Sequence, residues 1–172
     1  MEYQFNDNFL WGAASSGPQS EGTFPGDGKA EMEWDYWFKQ VPEQFFDGVG
    51  PSVTSDFYHK YKEYAKLMKE IGMNSYRTSI QWSRIFKDRE GTVNEEGVTF
   101  YQAVIDEFLS QGIEPVICLH HFDMPMYWME KGGFENRETA EGFAAFAAKC
   151  FELFGGKVKR WITFNEPIVI AE

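Results

Sequence analysis

The sequence predicts an α/β fold, the N-terminal half of a (β/α)8 TIM barrel with about four parallel strands and intervening helices. Three observations lead there. Short apolar runs alternate with segments of 3.6-residue periodicity, giving strand, helix, strand, helix, strand, helix, strand. That order implies parallel pairing through right-handed crossovers, in either an open doubly wound sheet or a barrel. No Gly-x-Gly-x-x-Gly turn follows the first strand, so the dinucleotide-binding open sheet has little support. Polar residues gather at the C-terminal ends of the strands, which share one face in a parallel barrel. Four strands are half of a barrel's eight, and the 172 residues fall short of the roughly 250 a whole barrel occupies. Residues 1–172 therefore read as a single partial domain holding strands 1 to 4.

The first strand is the apolar run Phe9-Leu10-Trp11-Gly12-Ala13-Ala14. Residues 15–54 are rich in Gly, Pro, Ser and aromatics, with one short helix near 33–40; so long a loop in a compact domain usually carries function. The first long helix covers 56–71, with Ser55 as N-cap and Gly72 just past its end. Phe57, Tyr61, Tyr64, Ala65, Met68 and Ile71 make its apolar face. A strand over 75–80 follows. The second helix starts near Asn94 and stacks Val98, Tyr101, Val104, Ile105, Phe108 and Leu109 before Gly112. Pro115-Val116-Ile117-Cys118-Leu119 suits a strand buried on both faces. The third helix begins after Asn136, turns Phe143, Phe146, Ala147, Cys150, Phe151 and Phe154 inward, and stops at Gly155-Gly156. The fourth strand covers 160–165.

Composition narrows the function. Hydrophobic content of 43%, with 17 Phe, 8 Tyr and 6 Trp, argues for a packed globular protein and against disorder. A formal charge of −11 without a basic cluster excludes a phosphate-backbone partner, so no nucleic acid is expected. No apolar run approaches the ~18 residues of a membrane span. The Met1-Glu2-Tyr3-Gln4-Phe5-Asn6-Asp7 start lacks the features of a signal peptide. Cys118 and Cys150 fall in apolar runs without metal-ligand spacing; they read as reduced core thiols of a cytoplasmic protein. No metal and no cofactor are called for.

Gln19 and Glu21 follow the first strand, and Arg77 lies within the second. His120, His121 and Asp123 end the third; Asn165 and Glu166 end the fourth. Each has a bland reading as an ion pair or a hydrogen-bonded structural group. Their coincidence on one face favours a joint site. Amides, imidazole and carboxylates are the groups that pair directionally with sugar hydroxyls, and aromatic rings offer platforms for a pyranose face. Trp11, Trp34, Phe122, Tyr127 and Trp128 stand near these strand ends.

Four motifs then carry a resemblance. Phe9-Leu10-Trp11-Gly12-Ala13-Ala14-Ser15-Ser16-Gly17-Pro18-Gln19-Ser20-Glu21-Gly22 resembles the N-terminal signature of the family 1 glycoside hydrolases, a group of retaining β-glycosidases. Tyr76-Arg77-Thr78-Ser79-Ile80-Gln81-Trp82-Ser83-Arg84-Ile85, Leu119-His120-His121-Phe122-Asp123-Met124-Pro125 and Thr163-Phe164-Asn165-Glu166-Pro167 resemble its second-, third- and fourth-strand motifs. The resemblance covers the chain as the N-terminal part of a longer protein. It implies that Glu166 is the general acid/base, protonating the leaving oxygen and later deprotonating water. The first step needs Glu166 protonated, which partial desolvation and a second carboxylate would favour. Asn165 would bind the sugar 2-hydroxyl, Gln19 and His121 would hold hydroxyls on the far side of the ring, and Arg77 would pair with the nucleophile carboxylate. Pro167 is expected to hold Glu166 in extended geometry.

Two positions depart from the pattern. Pro18 stands where many members carry an aromatic or Asn. Phe122, a substrate-binding candidate, stands where many β-glucosidases have Trp; Phe there is common among members that cleave 6-phosphorylated sugars. The implied substrate is a β-glucoside, with a lean to 6-phospho-β-glucosides. The family nucleophile is a Glu in an Ile/Val-Thr-Glu-Asn-Gly motif, which is absent here; Glu21, Asp123 and Glu172 lie outside that context. The chain alone is therefore expected to be inactive, and a truncated product is favoured over self-association of two copies through exposed half-barrel edges. A non-catalytic sugar-binding or interaction half-barrel is the rival from another class. An inverting hydrolase using Glu21 or Asp123 as base has less support, since both fit structural roles better.

Overall fold

The computed structural model describes residues 3–171; Glu172, one of the carboxylates weighed above, lies outside them. The elements in chain order are β1 (Gly12–Ala14), α1 (Gly17–Ser20), α2 (Glu33–Gln40), α3 (Phe57–Glu70), β2 (Ser75–Ser79), α4 (Trp82–Ile85), α5 (Glu95–Ser110), β3 (Glu114–His120), α6 (Met126–Met129), α7 (Arg137–Phe154), β4 (Arg160–Phe164) and α8 (Pro167–Ala171). The strands form one parallel sheet in the order β1-β2-β3-β4, with α3, α5 and α7 as the crossovers. This is the order of four successive units of a barrel wall.

Register sets what each face of the sheet presents. Ala14 pairs with Arg77 and Arg77 with Val116, while His120 pairs with Phe164. Alternation along a strand puts Arg77 on one face and its neighbours Tyr76 and Thr78 on the other. Tyr76 accordingly packs against Phe57 of α3 and Phe108 of α5, at ring separations of 6.4 and 5.4 Å. The core continues through Trp82 of α4, which stacks on Phe146 of α7 at 5.5 Å. Gly97 allows α5 to lie against α4, since a Cβ there would sit 2.1 Å from the Arg84 carbonyl oxygen.

The periodicity locates the helices but misjudges three inward residues. Ile71 is 69% exposed because α3 ends one residue before it, at Glu70. Leu109, in the last turn of α5, and Phe151 of α7 are also exposed; the Phe151 ring meets Trp161 edge-on, with centroids 4.9 Å apart. Asp56, not Ser55, caps α3. Its carbonyl receives the Lys60 N–H at 3.1 Å, its φ is +54°, and Ser55 Oγ turns back to the Ser20 carbonyl. Asp adopts the left-handed region more readily than most residues, which places the cap one position later. Asn136 does cap α7, accepting from the Glu138 N–H at 2.9 Å. Cys118 and Cys150 are buried and unpaired.

The long loop after β1 is held by a buried arginine. Arg84 donates from Nε to Glu21 (3.0 Å), from Nη1 to Asp27 (2.9 Å) and from Nη2 to the Gly22 carbonyl (2.8 Å). Its guanidinium also lies 4.7 Å over the Tyr58 ring. Glu21 accepts further bonds from Gln81 Nε2 at 2.6 Å and the Tyr101 hydroxyl at 3.0 Å. Lys29 pairs with Asp35 beside it, and Asn94 Nδ2 ties the Asp27 and Arg84 carbonyls together. Sequence reading gave Glu21 a place near the site; the structure gives it to this network.

Two stability measurements follow. Phe146→Ala should lower unfolding free energy by about 3–5 kcal/mol in urea denaturation, whereas Phe151→Ala should cost about 1 kcal/mol or less. Equal costs would return Phe151 to the core. Arg84→Ala should cost about 3–5 kcal/mol, because it leaves Glu21 and Asp27 buried without their cation; a loss under ~1 kcal/mol would show that the network carries little of the fold.

Candidate active site

The C-terminal ends of β1 to β4 open into a cavity of about 620 Å³. Gln19, Arg77, His121, Phe122, Asn165 and Glu166, the six residues singled out from sequence, all line it. Each arrives by a short path from a strand end. Gln19 sits in α1, which is joined to β2 by the Gly17 N–H bonding Ser79 Oγ at 2.8 Å. His121 follows β3 directly, its N–H fixed by Asp123 Oδ1 at 2.9 Å. Asn165 follows β4, its N–H bonded to the His120 carbonyl at 2.9 Å.

Arg77 knits these pieces together. Its Nη2 donates to Asn165 Oδ1 at 2.8 Å, and its Nη1 lies 3.2 Å from His121 Nδ1. Burial first, and then the Arg77 charge, push the His121 imidazole down to about 4. Burial likewise lowers His120, with Asp123 acting against it at 3.5 Å. Ser16 Oγ donates to Gln19 Oε1 at 2.9 Å. The polar groups are thus positioned by one another before any ligand arrives.

Glu166 is exposed, so the described residues do not themselves provide the desolvation expected for it. Its backbone is not extended either: φ is +44°. Pro167 begins α8 immediately after β4 ends at Phe164, and the chain must reverse within two residues. The proline ring disfavours the right-handed region before it, and the left-handed region supplies the turn. Phe122, φ +54°, makes a comparable turn after β3.

Several expectations at this face are corrected. Trp11 precedes β1 and receives the Asn74 and Ser75 N–H groups at the opposite end of the sheet. Trp128 is buried in the core, and Tyr127 spends its hydroxyl on the Phe86 carbonyl at 3.2 Å. Of the five aromatics, Trp34 and Phe122 line the cavity. Asp123 is fully buried and takes the Trp82 and His121 N–H groups, and Glu21 faces Arg84. Neither is free to act as a base, which removes the inverting reading. Phe45 and Thr54 also line the cavity and were not singled out; the length of the 15–54 loop was their only signal. Among the described residues no group of three His, Cys, Asp or Glu could hold a metal, and no helix is long and apolar enough to cross a membrane.

Comparison with known proteins gives the setting. The chain is 50% identical over 171 residues to the 6-phospho-beta-glucosidase GmuD of Bacillus subtilis (strain 168), covering 99% of this chain and 37% of that protein. It is 41% identical over 167 residues to Beta-glucosidase A of Acetivibrio thermocellus, covering 97% and 37%. Among solved structures it superposes on an aphid myrosinase with a TM-score of 0.93 at 36% identity, covering 98% of this chain and 37% of that one. The chain therefore spans little more than a third of the length of these relatives, and its fold is the half-barrel they contain. The family model for glycosyl hydrolase family 1 matches residues 1–172. The chain belongs to glycosyl hydrolase family 1.

Proposed function

We propose that residues 1–172, as one partial domain, supply the acid/base half of a retaining β-glycosidase site. The observation that carries this reading is the single cavity holding Glu166 beside a prearranged set of sugar-binding groups. Arginine only donates, so the Asn165 atom facing Arg77 is the carbonyl oxygen, and the amide Nδ2 is left to donate to a sugar 2-hydroxyl. By the same logic His121 Nδ1 must accept, which puts the ring proton on Nε2 and leaves it as a donor to substrate. Gln19 is held by Ser16 with its own Nε2 free. The remaining Arg77 N–H groups would pair with the nucleophile carboxylate. Glu166 would protonate the departing oxygen, then take a proton from the attacking water.

Retention needs a second carboxyl about 5–5.5 Å away, across the glycosidic bond. Neither Glu21 nor Asp123 can serve, so the nucleophile would come from the other four βα units. Those units would also pair with the end strands β1 and β4, an arrangement we favour over two copies of this chain.

The substrate we propose is a 6-phospho-β-glucoside. Identity to the 6-phospho-beta-glucosidase is 50%, against 41% to Beta-glucosidase A. Phe122 supports the same choice, since its ring gives the cavity an apolar wall and no hydrogen bond to a hydroxyl. An unphosphorylated β-glucoside is the second reading, favoured by the relatives named for that substrate. Two buried, unpaired cysteines suit the cytoplasm.

The 172 residues alone should release p-nitrophenol from p-nitrophenyl 6-phospho-β-glucoside no faster than buffer. A chimera placing them in the matching region of the Bacillus relative should turn over, and Glu166→Gln in it should lower kcat/KM by about 10²–10⁴-fold. An unimpaired Glu166→Gln chimera would sink the acid/base role and favour the non-catalytic reading. In NMR, the His121 ring should remain the neutral Nε2–H tautomer down to about pH 5 and protonate near pH 4. A midpoint near 6.5 would mean that the ring is neither buried nor beside the Arg77 charge as described.

A further inference from the structure

An Asp-Gly junction is where a polypeptide most readily rewrites its own backbone, because glycine has no Cβ to keep the neighbouring carboxyl off its nitrogen. The chain has two, Asp27–Gly28 and Asp47–Gly48, both in the long loop between β1 and α3. The structure treats them oppositely. Asp27 is buried and fully engaged: Oδ2 takes the Phe24 N–H at 3.1 Å and Arg84 Nη1 at 2.9 Å, and Oδ1 takes the Lys29 N–H at 3.0 Å. Gly28 is walled in as well, since a Cβ on it would sit 2.4 Å from Asn94 Oδ1.

Asp47 and Gly48 are exposed, in the single 3-10 turn Phe46–Gly48. Among the described residues nothing hydrogen-bonds or ion-pairs with the Asp47 carboxylate. Nothing stands within 4 Å of a Cβ built on Gly48. One turn bond holds the reacting nitrogen, from the Gly48 N–H to the Phe45 carbonyl at 2.9 Å. Backbone φ is +53° at Asp47, a conformation that a residue with a side chain keeps at a cost. Carboxyl, nitrogen and backbone are therefore all free to move together at this junction and at no point of the other.

We infer that Asp47–Gly48 is a self-modification site, at which the chain passes from the α- to the β-carboxyl of Asp47. In the first step the Gly48 nitrogen bonds to Cγ of the neutral carboxyl. The amide proton and the carboxyl hydroxyl leave as water, and a succinimide closes. In the second step water adds to the α-carbonyl carbon of the ring and breaks its bond to nitrogen. Isoaspartate results, with a free α-carboxylate; one water is lost and one regained, so the mass is unchanged. The product carries an extra backbone methylene and no longer needs the left-handed turn.

Phe45, two residues earlier, makes this matter to the cavity it lines. Its ring lies 5.0 Å from Trp37 and 6.3 Å from Trp34, and Trp37 Nε1 donates to Gln44 Oε1 at 3.0 Å. Rewriting the turn displaces that wall. The junction stands on its own geometry; only the effect on a bound sugar rests on the glycosidase reading.

The test uses the 172-residue chain and needs no turnover. After long incubation at neutral pH, trypsin divides the two junctions between peptides 1–29 and 40–60. Electron-transfer fragmentation, which tells isoaspartate from aspartate, should find at least ~10-fold more of it at Asp47 than at Asp27. In denaturant, where both junctions are released, they should react at comparable rates. A native ratio near one overturns the proposal, as does a native ratio that denaturation leaves unchanged. So does a native chain that forms no isoaspartate at Asp47 while the denatured chain does. Asp47→Glu would have to close a six-membered ring and should stop the reaction with the far-UV circular dichroism unchanged. Isoaspartate in peptide 40–60 that survives this substitution belongs to Asp56 and also overturns the assignment. Tryptophan fluorescence should change as isoaspartate accumulates and hold constant in Asp47→Glu; isomerisation without that change overturns the link to Phe45. The comparison of native and denatured chains decides the site even if Asp47→Glu fails to fold. Failure here leaves the Glu166 chimera result untouched, and failure of the chimera leaves the Asp47–Gly48 chemistry standing.

Discussion

The guanidinium of Arg84 is the constraint on which the rest of the site depends. A loop of some forty residues has no regular ladder to hold it, and its backbone must be fixed by something else. Arg84 does so from the first turn after β2, where it reaches two carboxylates and a carbonyl of that loop at once. Burying a charge is costly, and the cost is offset here by a hydrogen bond from each guanidinium nitrogen and an aromatic ring beneath the planar group. What the clamp secures is position. Gln19, Trp34 and Phe45 sit over the strand ends because the chain around Glu21 and Asp27 cannot drift away.

A second arginine does for chemistry what Arg84 does for architecture. Arg77 occupies the inner face of β2 and reaches residues that follow β3 and β4. Because it can only donate, it dictates which atoms of Asn165 and His121 remain for a ligand. Burial and the Arg77 charge both lower the imidazole beside it, so His121 offers a neutral donor and Arg77 is the cation of the cavity. Among the described residues, Glu166 then stands as the carboxylate at these strand ends that is not already consumed by the protein's own backbone or by Arg84.

Much of this was legible in the sequence, and the reasons are specific. Polar residues at strand ends are local events, fixed by the period of two and the strand boundaries. Spacing therefore gathered Gln19, Arg77, His121, Asn165 and Glu166 together with Glu21, His120 and Asp123, and the resemblance to a family narrowed them and added Phe122. Helices α3, α5 and α7 were readable from periodicity, yet Ile71, Leu109 and Phe151 were misplaced. Periodicity defines a stripe, and the margin of the stripe is decided by where neighbouring elements end. Asp56 and Glu166 were misread for another reason. A left-handed backbone at a non-glycine residue is imposed by the elements it joins; the tolerance of Asp for it permits the turn at Asp56 but does not reveal it, and Glu166 has no such tolerance. Glu21 shows the same limit for charges: a motif reveals that a carboxylate is present, while its partner Arg84 lies 63 positions away.

The sheet order has a consequence for how the molecule comes into being. Among the described residues each strand pairs only with the strands next to it in sequence, so none of these three pairings waits for a distant segment. A parallel sheet usually folds slowly because its contacts are far apart along the chain. Here each crossover closes against the preceding unit, and the sheet can lengthen by one strand at a time as the polypeptide leaves the ribosome. The growing edge is always the newest strand, and after residue 164 that edge is β4. Synthesis would thus present the Asn165–Glu166 pair on a wall already built and registered, ready to receive whatever strand is added beside it.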